Sequence, residues 1–148
     1  MTSEEEGIIY FNVGGRVFAT ATSTMKYDKE SLFYLWSKEN YASLHCDDKG
    51  FYFIDRDPKS FGIVLNYLRL RKSGQLWEAC LPKDPDRLAL LTQEAEYYKL
   101  FQLRDQAIAL LQNCTEKADM SYVNEVLAKS FSCPHGFELR DTRPTNHA

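Results

Sequence analysis

The chain has 148 residues, 44% of them hydrophobic and 26% charged, with a net charge of −3. This is enough apolar material for one domain with its own core, and it excludes disorder across the whole chain. The slightly acidic balance gives no electrostatic reason to bind nucleic acid or acidic lipid, and no stretch approaches the roughly 18 apolar residues of a membrane span.

The opening Met1 to Glu6 is polar and acidic, unlike a signal peptide, so a cytoplasmic protein is expected. Ile8 to Val13 is β-branched and aromatic and predicts a strand. Gly14-Gly15 suits a tight turn, and the alternation in Arg16 to Thr20 predicts a second strand, so this stretch reads as an N-terminal hairpin. Asp28 or Ser31 is positioned to cap a short helix carrying Leu32, Leu35 and Trp36 on one side. Asp48-Lys49-Gly50 signals a turn, and Phe51 to Ile54 predicts a third strand.

The clearest helix start follows. Asp57 is a good N-cap and Pro58 suits the first helical position, where its missing N–H has no partner to lose. Phe61, Val64, Leu65 and Leu68 fall on one face, and Gly74 is a natural stop. Arg69, Arg71 and Lys72 are read as a solvated helix end that complements the dipole. Pro85-Asp86 announces another helix with Leu88, Leu91, Ala95 and Tyr98 on one face, and Glu94 and Glu96 are expected in water. A further helix over Phe101 to Asn113 aligns Leu103, Ala107, Leu110 and Cys114. Met120 to Lys129 suits a short amphipathic helix with Val123, Val126 and Leu127, and the polar stretch from Pro134 onward reads as a loose tail. The order is mixed α and β without βαβα alternation, which disfavours a dinucleotide fold.

Several segments invite a chemical reading and resist it. Asn12-Val-Gly-Gly15 lacks the Gly-Lys-Ser/Thr ending and the following helix of a phosphate loop, so a hairpin turn is expected. His45-Cys46 and Cys133-Pro-His135 lie too far apart for the two close pairs typical of a zinc site, and no third group orients a catalytic Cys–His pair. Cys46, Cys80, Cys114 and Cys133 form no CxxC pair and are expected to be free thiols. Asn113-Cys-Thr115 fits a glycosylation pattern but has no secretion signal to give it meaning. Asp55-Arg56-Asp57 concentrates charge between an apolar strand and an apolar helix: Asp57 has a capping role, and Asp55 and Arg56 can pair with each other, with water or with a neighbouring chain. Trp77 reads equally as an exposed anchor or a buried ring, while Phe33-Tyr34 and Tyr97-Tyr98 divide between core and surface. No catalytic, cofactor-binding or metal-binding set emerges, and no enzyme is expected.

Three ordered motifs carry a resemblance. Ile9 to Thr20 with Asn12-Val-Gly-Gly15 and Phe18, then Phe51 to Arg69, and finally Leu91 to Leu103 with Glu94-Ala-Glu-Tyr-Tyr98, together resemble BTB/POZ domains of the potassium-channel tetramerisation type. The likeness covers residues 7–112, and the form of residues 94–98 is closer to the KCTD proteins than to the channels. The channels' zinc site does not carry over, since only the isolated Cys80 and Cys114 stand in that region. Two stretches depart from the pattern: Lys29-Glu30-Ser31, where the family usually has a proline before the serine, and the longer turn Arg69 to Gly74.

The resemblance implies a mixed α+β BTB fold, a three-stranded sheet with an N-terminal hairpin packed on a cluster of helices, over residues 7–115, with a C-terminal extension over 116–148. It implies a cytoplasmic module that assembles into a homo-tetramer or homo-pentamer, with Asp55, Arg56 and Asp57 at the subunit interface. Many KCTD proteins present substrates to cullin-RING ubiquitin ligases. The segment Tyr27 to Tyr41 and the loop after it, with Leu32, Phe33, Tyr34, Trp36 and Tyr41, are by that resemblance the candidate surface for a cullin. The alternative implied is a tetramerisation or auxiliary domain that regulates a potassium channel or membrane receptor without a ligase.

Overall fold

The alternation of Ile8–Val13 forms strand β1, which turns Ile9, Phe11 and Val13 inward. The computed structural model describes residues 7–115 and 121–130. Gly14 and Gly15 have φ of 57° and 102°, the pair of positive values a two-residue hairpin turn needs. Strand β2, Arg16–Ala21, then returns antiparallel with Phe18 opposite Phe11. Strand β3, Tyr52–Ile54, lies on the other side of β1 and runs parallel to it, giving the sheet order β2-β1-β3. A parallel neighbour needs a long crossover. Here the crossover contains α1, Thr22–Met25, a single turn without a sequence signal, and α2, Leu32–Lys38. Ser31 rather than Asp28 caps α2, accepting from the Tyr34 amide.

Helix α3, Pro58–Lys72, starts as its sequence indicates, with the Asp57 carboxylate accepting from the Ser60 amide at 2.8 Å. Phe61, Val64, Leu65 and Leu68 are all buried, joined by Tyr67. Its basic end is not simply solvated. Arg69 donates to the Ala19 carbonyl at 3.0 Å, Lys72 to Ser23 Oγ at 2.7 Å, and Arg71 to the Tyr67 hydroxyl at 2.9 Å. The three cations tie the last turn of α3 to β2, to α1 and to its own preceding turn. A short 3-10 turn, Trp77–Cys80, follows, and Trp77 is half-buried with its ring edge-on to Tyr67 at 5.0 Å.

Helix α4, Pro85–Tyr97, is capped by Asp84, and α5, Phe101–Thr115, packs against it. On α5 the buried residues include Leu103, Ala107, Ile108 and Leu111, while Leu110 and Cys114 are only half-buried. The apolar stripe is thus turned by about one residue from the expected alignment. Helix α6, Ser121–Ser130, packs on α4 and α5 and buries Leu127. The expected tail from Pro134, and with it Cys133 and His135, lies outside the described residues.

An aromatic cluster joins sheet to helices. The Phe61 ring lies 5.9 Å from Phe11, 5.0 Å from Phe18, 5.9 Å from Phe33 and 5.8 Å from Tyr98. One α3 residue thereby contacts both hairpin strands, α2 and the end of α4, in the edge-on geometry that aromatic rings favour.

Candidate functional site

The three sequence motifs meet at one corner. Asn12 closes the hairpin turn by accepting from the Gly15 amide at 2.8 Å, and its side-chain amide donates to Asp47 at 2.8 Å. That hydrogen bond, with those from the Lys49 and Phe51 amides, holds the Asp47 carboxyl below its ordinary pKa. The Gly14 amide donates to the Ile54 carbonyl at 2.9 Å, and a Cβ at Gly14 would lie only 2.6 Å from the Arg56 carbonyl oxygen. The turn therefore rests directly on the backbone of the charged segment.

Arg56 does not point away from the protomer. Its Nε donates to Glu94 Oε1 at 3.1 Å and its Nη2 to Glu94 Oε2 at 2.6 Å, a two-pronged pair across to α4. The Glu94 side chain is only 6% exposed and that of Arg56 31%. The expectation that Glu94 faces water is thus overturned: it lies one turn from Leu91 on the inner side of α4, where a carboxylate persists only with a partner. The guanidinium also lies 4.0 Å from the centre of the Tyr97 ring. Burial alone would lower the Arg56 pKa, but the hydrogen bonds and charge of Glu94 outweigh it and raise it. Asp57 caps α3 and approaches Arg87 at 3.9 Å. Burial would push its carboxyl up, yet the bonds from Ser60 hold it below the ordinary value. Of the three charged residues, Asp55 alone is exposed.

Beside this corner the outer face of the sheet is open. Ile8, Val17, Tyr10 and Phe53 are 66, 48, 44 and 38% exposed, and none of the described helices covers them. Pairing of Asn12 with both Val17 and Phe53 puts these residues on one face. Phe51 stacks on Tyr10 at 5.1 Å, and Asp55 continues the outward register of Phe51 and Phe53 beyond the end of β3. The result is an apolar face that ends at an exposed carboxylate.

The second expected surface is divided by the structure. Phe33 is fully buried and stacks on Tyr98 at 4.7 Å. Trp36 packs edge-on to Phe33, and Tyr41 packs on Tyr52 at 5.0 Å, both inside. These three residues hold the fold and cannot present a contact surface while it is intact. Leu32 and Tyr34 are half-buried, and the exposed apolar residue of α2 is Leu35, so Leu32, Leu35 and Trp36 do not share one environment as the expected single side requires. Lys38 sits over the Tyr34 ring at 5.5 Å. His45 and Cys46 are exposed, and no group of three His, Cys, Asp or Glu among the described residues could hold a metal ion. No described helix is long and apolar enough to cross a membrane.

Comparison with known proteins agrees with the geometry. The profile of the BTB/POZ domain matches residues 9–108. The chain is 38% identical over 96 residues to the human BTB/POZ domain-containing protein KCTD5, covering 64% of this chain and 38% of that protein. It is 33% identical over 107 residues to the FH protein interacting protein FIP2 of Arabidopsis thaliana, covering 70% of this chain and 33% of that protein. It is 31% identical over 133 residues to the SH3KBP1-binding protein 1 of Rattus norvegicus, covering 90% of this chain and 17% of that protein. The chain spans at most 38% of the length of these relatives.

Proposed function

The chain belongs to the BTB/POZ family, in its potassium-channel tetramerisation branch, and from that premise we propose that copies of it dock side by side in a closed homo-oligomer that serves as a cytoplasmic adaptor for a cullin-RING ubiquitin ligase. A protein-interaction module is the common ground of the family and of the KCTD5 likeness. The observation that carries self-association is the open apolar sheet face ending at exposed Asp55. A face of this kind is costly to leave in water and gains by docking. A ring needs two different complementary surfaces on each copy, and the sheet face with its charged rim supplies one of them.

The ligase reading rests on the KCTD resemblance and on the outer side of α2, where Leu35 is exposed beside Tyr34. An exposed leucine next to an aromatic ring suits a helix-face contact. The names FH protein interacting protein and SH3KBP1-binding protein describe relatives that bind other proteins, which supports an adaptor of some kind. The second reading, an assembly or auxiliary module for a channel or receptor, shares the oligomer and dispenses with the cullin.

Light-scattering mass, followed by titration with a cullin N-terminal domain, tests both parts. A closed tetramer or pentamer that binds the cullin, and loses that binding in Leu35→Asp while keeping its mass, is the expected result. A monomer at every reachable concentration overturns self-association, and a closed oligomer blind to every cullin selects the auxiliary-module reading.

A further inference from the structure

We propose that the cleft between the loop before α2, the end of α3 and the α4–α5 junction binds a phosphate monoester carried on an aromatic ring, the head group of a phosphotyrosine on a partner protein. The cleft has a volume of about 460 Å³, within the range of sites that take a small ligand or head group. A protein-borne ligand suits a domain of a protein-interaction family. The inference depends neither on self-association nor on a cullin.

Lys29, Arg71 and Lys99 line the cleft, and none of the three forms an ion pair among the described residues. In a chain of net charge −3, cations gathered without counter-ions form a local positive field that draws an anion. Arg71 is held in place by neutral groups. Its Nη1 donates to the Tyr67 hydroxyl at 2.9 Å and to the side-chain oxygen of Gln102, and its guanidinium lies 5.5 Å from the centre of the Tyr27 ring. Burial pushes the Tyr67 hydroxyl up to about 12, so it stays protonated and brings no charge. A guanidinium oriented in this way keeps its charge, and N–H donors beyond those two bonds, for a ligand. Lys99 is an independent sign. It follows α4 at φ 60°, a position where glycine or asparagine is usual and a lysine is strained. The Lys99 and Leu100 amides donate to the Glu96 and Ala95 carbonyls at 3.1 and 2.8 Å, which fixes that conformation. Strain of this kind concentrates at binding sites, and here it accompanies an ammonium at the cleft. Helix α5 starts at Phe101 on the same wall, and its amide end adds to the preference for negative charge. Two carboxylates also stand there. Asp28 is turned into its own loop, accepting from the Glu30 amide at 3.0 Å, and Glu30 is exposed. Against these, a ligand carboxylate gains little, whereas a phosphate dianion has the charge and the three oxygens to engage all three cations. The rings of Tyr27 and Phe101 line the same cleft, with Tyr27 37% exposed, and they suit a flat aromatic carrier.

The test uses N-acetylphosphotyrosine amide as the probe, observed by saturation-transfer NMR on the full chain, with N-acetyltyrosine amide and inorganic phosphate as comparisons. The probe is expected to bind at concentrations up to about 10 mM, the range in which a lone head group registers, and N-acetyltyrosine amide is not. Inorganic phosphate is expected to displace the probe only at about tenfold higher concentration, because it lacks the ring. Lys99→Asn removes the charge and keeps a residue that tolerates φ 60°, so the fold is retained and affinity falls about fivefold. Arg71→Gln is expected to lower affinity about tenfold or more. Lys83→Gln, which removes an exposed cation outside the cleft, leaves affinity unchanged. An unmodified chain that shows no transfer to the probe overturns the proposal, and so does equal affinity in the unmodified, Lys99→Asn and Arg71→Gln proteins. Inorganic phosphate as potent as the probe assigns the cleft to free phosphate and overturns the phosphotyrosine reading. Should Arg71→Gln fail to fold, Lys99→Asn decides: unchanged affinity there overturns the site.

Discussion

Replacing Gly14 by alanine probes whether the hairpin turn and the charged corner form one unit. At φ 57° an L side chain sits in the left-handed region, a cost of about 1 kcal/mol. The new Cβ would also lie 2.6 Å from the Arg56 carbonyl oxygen and 3.2 Å from Pro58 Cδ. The first of these is backbone, so relief requires moving the β3–α3 connection, and overpacking of this kind costs about 1–3 kcal/mol. The expected loss is therefore about 2–4 kcal/mol. Gly74 is the internal control: its φ is 73°, nothing lies within 4 Å of an added Cβ, and Gly74→Ala should cost only the backbone part, about 1 kcal/mol. Urea denaturation at matched protein concentration measures both, since oligomer stability depends on concentration. The same experiment should find self-association weakened in Gly14→Ala and unchanged in Gly74→Ala. Equal losses for the two variants, within about 0.5 kcal/mol, would refute the idea that the turn bears on the Arg56 backbone.

Other substitutions separate interior from surface roles. Phe33→Ala removes a fully buried ring stacked on Tyr98 and should cost about 3–5 kcal/mol in the denaturant midpoint; a variant of unchanged stability that loses only partner binding would return Phe33 to the surface. Asp57→Ala should cost about 1 kcal/mol near neutral pH through loss of the α3 cap. Because the folded state lowers the Asp57 pKa, this contribution is present above the unfolded value of about 3.9 and disappears as pH falls through the lower folded value. The gap between the unmodified protein and Asp57→Ala should thus close in acid, and a gap that widens there would contradict the assignment. Tyr41→Phe removes a buried hydroxyl that has no hydrogen-bond partner among the described residues, so stability should hold or rise by up to about 1 kcal/mol; thermal unfolding that reveals a clear loss would mean the hydroxyl is engaged.

How far the fold could be read depended on whether independent local signals agreed. At α3 an Asp-Pro start, a four-residue apolar face and a following glycine all point to one helix, and the structure has it with those residues buried. At α2 the signals conflict. Leu32, Phe33, Leu35 and Trp36 are all apolar within seven residues, so spacing alone permits more than one inner face. Phe33 goes inside because it reaches Tyr98 and Phe61, partners far along the chain, and Trp36 packs edge-on against Phe33. Leu35 is left outside by that choice. The single-turn α1 and the parallel pairing of β3 depend equally on distant contacts, and neither leaves a local mark.

The candidate site was legible as motifs and illegible as a mechanism. Arg56 and Glu94 are 38 residues apart, beyond any helical or strand period. One clue was available: Leu91, Glu94 and Tyr98 follow the spacing of a single helix face, so Glu94 interrupts a buried stripe, while Arg56 is the cation that stands between the apolar strand and the apolar helix. A charge on an inner stripe demands a counter-charge, and that demand would have sent Arg56 inward and left Asp55 as the outward group. A well-packed apolar pair at the same place could stabilise the protomer as much or more. What the ion pair adds is direction. Its two parallel hydrogen bonds specify both distance and orientation between the β3–α3 connection and α4, which apolar packing would specify less sharply.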